Sequence, residues 1–196
     1  MKNFIILLLL TVSVGSYAQR SKIVQGSLKP LKGEKAMRIE FTYDNMTVST
    51  KNVAEPAYMK EKKDEYNKKE AGKGDKWAQS WIDSRSSRYE PQFRELFAKV
   101  TGMTTASDNA KYTVIFHTTH TETGYNIGIS KRPAFIDGEV LIVETANKSN
   151  VIARITMDNA PGSQFSGFDY DAGSRIQECY AKCGKTLGKM IVKATK

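Results

Sequence analysis

The chain has 196 residues, 30 Lys and Arg against 21 Asp and Glu for a formal charge of +9, 40% hydrophobic and 26% charged residues, and two cysteines. These proportions exclude an unfolded chain, which is poorer in apolar residues, and a small scaffold stapled by many disulfides. The length favours one domain with a sizeable core.

Met1-Lys2-Asn3 supplies a positive start, residues 4–14 an apolar run, and Ser16-Tyr17-Ala18 a small-x-small cleavage site. Residues 1–18 are therefore expected to be a signal peptide cleaved after Ala18, giving a periplasmic or secreted protein. Its loss removes Lys2 and no acid, leaving 178 residues and a charge of +8. The run is shorter than the roughly 20 apolar residues of a spanning helix, and no longer one follows, so an integral membrane protein is not expected. No cysteine lies near the cleavage site to accept a lipid.

Residues 19–35 are basic and contain Pro30, which predicts a loosely ordered arm ahead of a single α/β domain over 36–196. Met37, Ile39, Phe41 and Tyr43 alternate with polar residues as in a half-buried strand. Asp44-Asn45 marks a turn. Glu55-Pro56 marks a helix start, with Pro at a position where its missing N–H costs nothing. The charged segment at about 56–76 follows, with Tyr66 the only large apolar side chain after residue 60, and predicts an exposed helix ending near Ala71-Gly72. A second helix is expected from Asp75, carrying Trp77, Trp81, Ile82 and Tyr89, kinked at Pro91 and continued by Phe93, Leu96 and Phe97.

The second half reads mainly as strand: 112–117, 125–129, 135–145 and 151–157, with a turn at 147–150 and a Gly- and Ser-rich loop after Pro161. Ile176, Cys179, Tyr180, Cys183, Leu187, Met190 and Ile191 fall at intervals of three and four and define one apolar stripe on a long C-terminal helix. The architecture expected is a mixed, mainly antiparallel sheet of about five strands with helices packed on it.

No nucleophile elbow, metalloprotease helix or phosphate loop occurs. Cys179 and Cys183 lie four apart on a helix, too far for a disulfide's Cβ separation, and read as core thiols. His117 and His120, three apart on a strand, point to opposite faces unless the chain bulges between them. Asp169-x-Asp171 begins a calcium-loop spacing, but Tyr180 occupies the position of the closing Glu, so Asp171 or Ser174 is expected to cap the last helix. Asp137 and Glu139 share a strand face, as two of 21 acids would by chance. No cofactor or metal is implied.

Three contact surfaces are candidates. Trp77 and Trp81, one turn apart among basic residues, belong to the core by their continuity with Phe93 and Phe97, or form a platform for sugar rings or a partner. Tyr125 begins a loop carrying Lys131 and Arg132. Arg175, Lys182, Lys185 and Lys189 lie opposite the apolar stripe, a solvated face or a surface for anions. Export and the lack of an aromatic-basic stacking motif argue against nucleic acid.

The strand opening Ala110-Lys111-Tyr112-Thr113-Val114-Ile115, the long strand over 140–144, the polar turn at 147–150, the return strand and the last helix together resemble the small α/β domain at the N-terminus of the TolB translocation protein and of curli-secretion-type envelope proteins. The likeness spans residues 110–193. It implies a non-catalytic module of the bacterial cell envelope that works through protein contacts, and transfers no catalytic residue. The alternatives are a small exported hydrolase using carboxylates or the two histidines, and a binder of glycans or anionic lipid surfaces.

Overall fold

A computed structural model describes residues 19–107, 109–127, 129–162 and 171–196. The expected signal peptide, the Gly- and Ser-rich loop from 163 and Asp169-Tyr170 lie outside the described residues.

Among the described residues, four α-helices and nine strands follow in order: β1 (Arg20–Gly26), β2 (Arg38–Thr42), β3 (Thr47–Val48), β4 (Val53–Ala54), α1 (Glu55–Lys69), α2 (Lys73–Ser84), α3 (Glu90–Thr101), β5 (Tyr112–Glu122), β6 (Tyr125–Asn126), β7 (Lys131–Arg132), β8 (Phe135–Glu144), β9 (Asn147–Pro161) and α4 (Ala172–Ala194). Seven strands form one sheet in the order β1-β9-β8-β5-β3-β4, with β2 also paired to β5, while β6 and β7 form a separate hairpin. Only β2 and β3 run parallel to their neighbour β5; every other pairing in the main sheet is antiparallel. The mixed, mainly antiparallel α/β sheet is as expected, with two more strands.

One extra strand is the segment expected to be a loose arm. Arg20–Gly26 pairs antiparallel with β9 along the sheet edge, and Leu28 and Leu31 after it are buried in the core. The strand itself is mostly exposed; its order comes from backbone hydrogen bonds to β9, which no side-chain periodicity announces. The turn expected at 147–150 is also displaced. Glu144 pairs directly with Asn147, so the chain reverses at Thr145-Ala146 and residues 147–150 extend the return strand.

The core lies between the sheet and the α3–α4 pair. Ile176, Cys179, Tyr180, Cys183, Leu187 and Ile191 of α4 meet Phe93 and Phe97 of α3 and Val114, Phe116, Val140, Ile142 and Ile155 of the sheet. At about 1.5–3 kcal/mol for each fully buried large side chain, the α4 stripe is a principal source of stability. Glycine sets the spacing of the two helices: a Cβ on Gly184 would stand 2.2 Å from the carbonyl oxygen of Phe93. Asp171 caps α4 as expected, accepting from the backbone N–H of Gly173 at 2.9 Å and of Ser174 at 3.2 Å. Arg175, expected on the solvated face, is instead buried; its guanidinium donates to the carbonyls of Thr123 and Gly124 at 3.0 and 3.2 Å. Cys179 and Cys183 are free, buried thiols, and burial pushes both well above the ordinary thiol range.

Pro91 sits in the first turn of α3, and the kink expected there is spread over a π-helical stretch, Arg85–Tyr89, joining α2 to α3. A π turn adds about one residue and rotates the phase of the helix that follows. Tyr89, Phe93 and Phe97 therefore face the core, whereas Trp77 turns toward α1 and Trp81 lies between α1 and the core margin.

Candidate functional site

Neither tryptophan belongs to the fully buried set; both are half-buried. Four rings cluster where α2 lies against α1. The Trp77 and Trp81 centroids are 5.7 Å apart, Tyr66 is 5.7 Å from Trp77, and Tyr58 is 6.1 and 5.7 Å from Trp77 and Trp81. The spacings follow from sequence: Tyr58 and Tyr66 lie eight apart on α1, Trp77 and Trp81 four apart on α2, so each pair shares a helix face. Gly74 permits the approach, since a Cβ there would meet the carbonyl oxygen of Lys63 at 2.0 Å.

The exposed sides of these rings wall a cleft of about 400 Å³, completed by Lys62, Ser80, Ser84, Arg88 and Tyr89 from the helices, Thr123, Gly124 and Tyr125 from the β5–β6 loop, and Asp171 at the start of α4. The volume falls within the range of small-molecule sites. Trp81 is fixed at its polar edge, donating from Nε1 to Glu55 at 2.6 Å, and the same carboxylate receives Arg85. Arg85 also stacks 4.0 Å over the ring of Tyr43. On the opposite wall Arg88 donates to Asp171 and to the Ser174 hydroxyl, both at 2.8 Å. Partial burial opposes the charge of Asp171, yet hydrogen bonds from Arg88, Gly173 and Ser174 hold its carboxyl below the usual range. Burial raises the phenol of Tyr58 and pushes that of Tyr89 up to about 12, so both remain neutral hydroxyls across the physiological range.

No histidine or cysteine lines this cleft. Ser84 donates its hydroxyl to the carbonyl of Ser80 at 2.7 Å, in the manner of a helix back-bond and not of an activated nucleophile. The lining is aromatic faces, hydroxyls, the Arg88–Asp171 ion pair and the Lys62 ammonium, itself paired to Glu65 at 2.8 Å, which suits it to hold a ligand.

The histidines lie elsewhere. A bulge between Thr118 and His120 breaks the alternation, and His117 and His120 stand opposite Glu139 and Asp137. Those two acids alternate on β8, so both histidines reach the same sheet face, the one away from α4, where Thr118 bonds Tyr180 on the other side. Each is tied to a threonine, His117 Nδ1 to Thr42 at 2.9 Å and His120 Nδ1 to Thr47 at 2.8 Å. Asp137 accepts from the Asn159 N–H and Glu139 pairs with Arg154. Among the described residues no group of three His, Cys, Asp or Glu side chains converges to hold a metal.

Of the candidate contact residues, the fold gathers Trp77, Trp81 and Tyr125 at the cleft. Lys131 and Arg132 form the exposed second strand of the hairpin that Tyr125 opens. Lys182, Lys185 and Lys189 are exposed on the outer side of α4 and do not line the cleft. Arg88 flanks the tryptophans in sequence, whereas Tyr58, Tyr66, Ser80 and Ser84 were not legible as site residues; the spacing of Tyr58, Lys62 and Tyr66 was the signal available. Among the described residues no helix is long and apolar enough to cross a membrane.

No protein-family pattern matches the chain, and no curated protein sequence does. Among solved structures it is similar to the PelC dodecamer from Paraburkholderia phytofirmans and to a point variant of the same dodecamer, each at 12% identity and a TM-score of 0.38 over 84% of this chain and 96% of the other. The likeness is loose, and the fold rests on the pairing and packing described above.

Proposed function

We propose that this protein is an exported, non-catalytic binding module of the bacterial cell envelope and that its ligand seats in the cleft between α1 and α2. The observation that carries this reading is the aromatic wall of Tyr58, Tyr66, Trp77 and Trp81 around a space free of histidine and cysteine. The amino-terminal apolar run with its small-x-small site, and the resemblance to TolB-type envelope domains, support the compartment. Concavity favours a compact ligand over the flat surface a protein partner would offer. Ring faces that present π-electrons beside hydroxyl groups suit a sugar, whose C–H face stacks while its hydroxyls find polar partners.

The test is titration of intrinsic tryptophan fluorescence with soluble saccharide fragments of bacterial envelopes, on the unaltered protein and on Trp77→Ala. Saturable quenching that disappears in Trp77→Ala is expected. Turnover of any of these fragments, or binding unaffected by the substitution, would overturn the reading.

A further inference from the structure

The hairpin β6–β7 presents a second surface, which adjoins the cleft through Tyr125. Tyr125 pairs with Arg132 and Asn126 with Lys131, and the turn is fixed by the Ile127 N–H donating to the Ser130 carbonyl at 3.0 Å and by a 3.2 Å bond between the Tyr125 and Ser130 hydroxyls. Its two aliphatic side chains are largely uncovered among the described residues. Ile127 is 65% exposed and Ile129 98%. Large β-branched side chains held out at a hairpin end, away from the core, lack a folding reason for being apolar.

Their surroundings state what would cover them. Lys131 and Arg132 are both exposed and make no ion pair among the described residues. No acid occurs between Glu122 and Asp137, and the whole chain is strongly basic. Tyr125, 42% exposed, stands at the base of the hairpin with its hydroxyl engaged. Aliphatic residues foremost, an aromatic phenol behind them and cations at the same level match, in order, the acyl region, the interface and the phosphates of a bilayer leaflet.

We propose that this hairpin is a shallow membrane-docking wedge: Ile127 and Ile129 enter the interface of a bilayer rich in anionic phospholipid, and Lys131 and Arg132 bind its phosphates. A protein groove would also cover two isoleucines. Cations without an ion pair among the described residues, and a hairpin sequence without acids, favour a surface of uniform negative charge, which phospholipid supplies.

The test uses the full chain carrying Ile129→Cys labelled with an environment-sensitive nitrobenzoxadiazole, the native thiols being buried. It is mixed with vesicles of phosphatidylcholine and phosphatidylglycerol at three to one, and with phosphatidylcholine alone. Because the label reports from position 129, adsorption through residues 1–18 does not mimic the result. A blue-shifted, brighter emission with the anionic vesicles only is expected. The paired change Lys131→Gln with Arg132→Gln should weaken the response by roughly twenty-fivefold, at about fivefold for each cation near the surface, and Ile127→Ser by roughly tenfold. Unchanged emission with anionic vesicles, or a response indifferent to Lys131 and Arg132, would overturn the proposal. So would an emission shift that grows with protein concentration in the absence of vesicles, which would assign the wedge to a second copy of the chain.

Discussion

Trp81 and Glu55, 26 residues apart, are joined by a 2.6 Å bond from the indole N–H to a carboxylate that also pairs with Arg85. The ion pair is little exposed, with 18% of the Arg85 side chain and 11% of the Glu55 side chain accessible. Removing one partner of such a pair strands the other without solvent. Glu55→Ala should lower the free energy of unfolding by about 3 kcal/mol and free the ring of Trp81 from its anchor. Chemical denaturation checks the loss; a value below about 1 kcal/mol would mean that Arg85 finds another partner.

Thr118 and Tyr180 share a 2.6 Å hydrogen bond across the buried sheet–helix boundary. Tyr180→Phe leaves the threonine hydroxyl unsatisfied and should cost about 1–2 kcal/mol, whereas adding Thr118→Val should recover part of that loss. A double-mutant cycle by urea unfolding measures the coupling, and simple additivity would contradict it.

Gly184 and Gly188 both face α3 but differ in what an added methyl would meet. Gly184→Ala places its Cβ on the Phe93 backbone, which cannot give way, while Gly188→Ala meets Val100 side-chain atoms at 3.0 Å. Thermal unfolding should show the first variant destabilised by about 2 kcal/mol or more and the second by less. The reverse ranking would refute the close approach at Gly184.

Burial lowers the pKa of His120, against the opposing pull of Asp137 and Glu122. The folded protein therefore binds a proton at this site less readily than the unfolded chain. The contribution of neutral His120 to stability is complete above its ordinary value of about 6.5. It diminishes as pH falls below that value toward the lowered native pKa, by at most about 1.4 kcal/mol per pH unit. His120→Gln should flatten that part of the stability profile; an unchanged slope would place the titration elsewhere.

Cys179 and Cys183 should resist an aromatic disulfide reagent in the native protein at pH 8 and react fully once unfolded, since burial raises both thiols and shields them. Fast stoichiometric reaction without denaturant would show that α4 undocks.

Several elements were legible in sequence because their signal is local. The apolar positions of α4 recur with the helical period, Asp171 stands one residue before that helix as its cap, and Pro56 opens α1. The alternation in β2 and β5 follows from one face of each strand meeting helices. The same local signal does not divide Trp77 and Trp81 between core and cleft, because an unbroken helical stripe assumes a constant number of residues per turn. The π stretch at Arg85–Tyr89 alters that number midway. A bulge has the same effect on the histidines.

Sequence by itself determined the fold class, the helix that seals the sheet and the core placement of both thiols, since these depend on how often an apolar residue recurs along a few turns or pleats. Tertiary structure alone decided that Arg20–Gly26 is a strand, that four rings from two helices wall one cleft, and that Ile127 and Ile129 stand uncovered. Each of those facts depends on partners far away in the chain: the edge of β9, the approach of α1 to α2 at Gly74, and the lack of any element above the hairpin among the described residues. Periodicity records which side of an element is apolar, and only packing selects what that side meets.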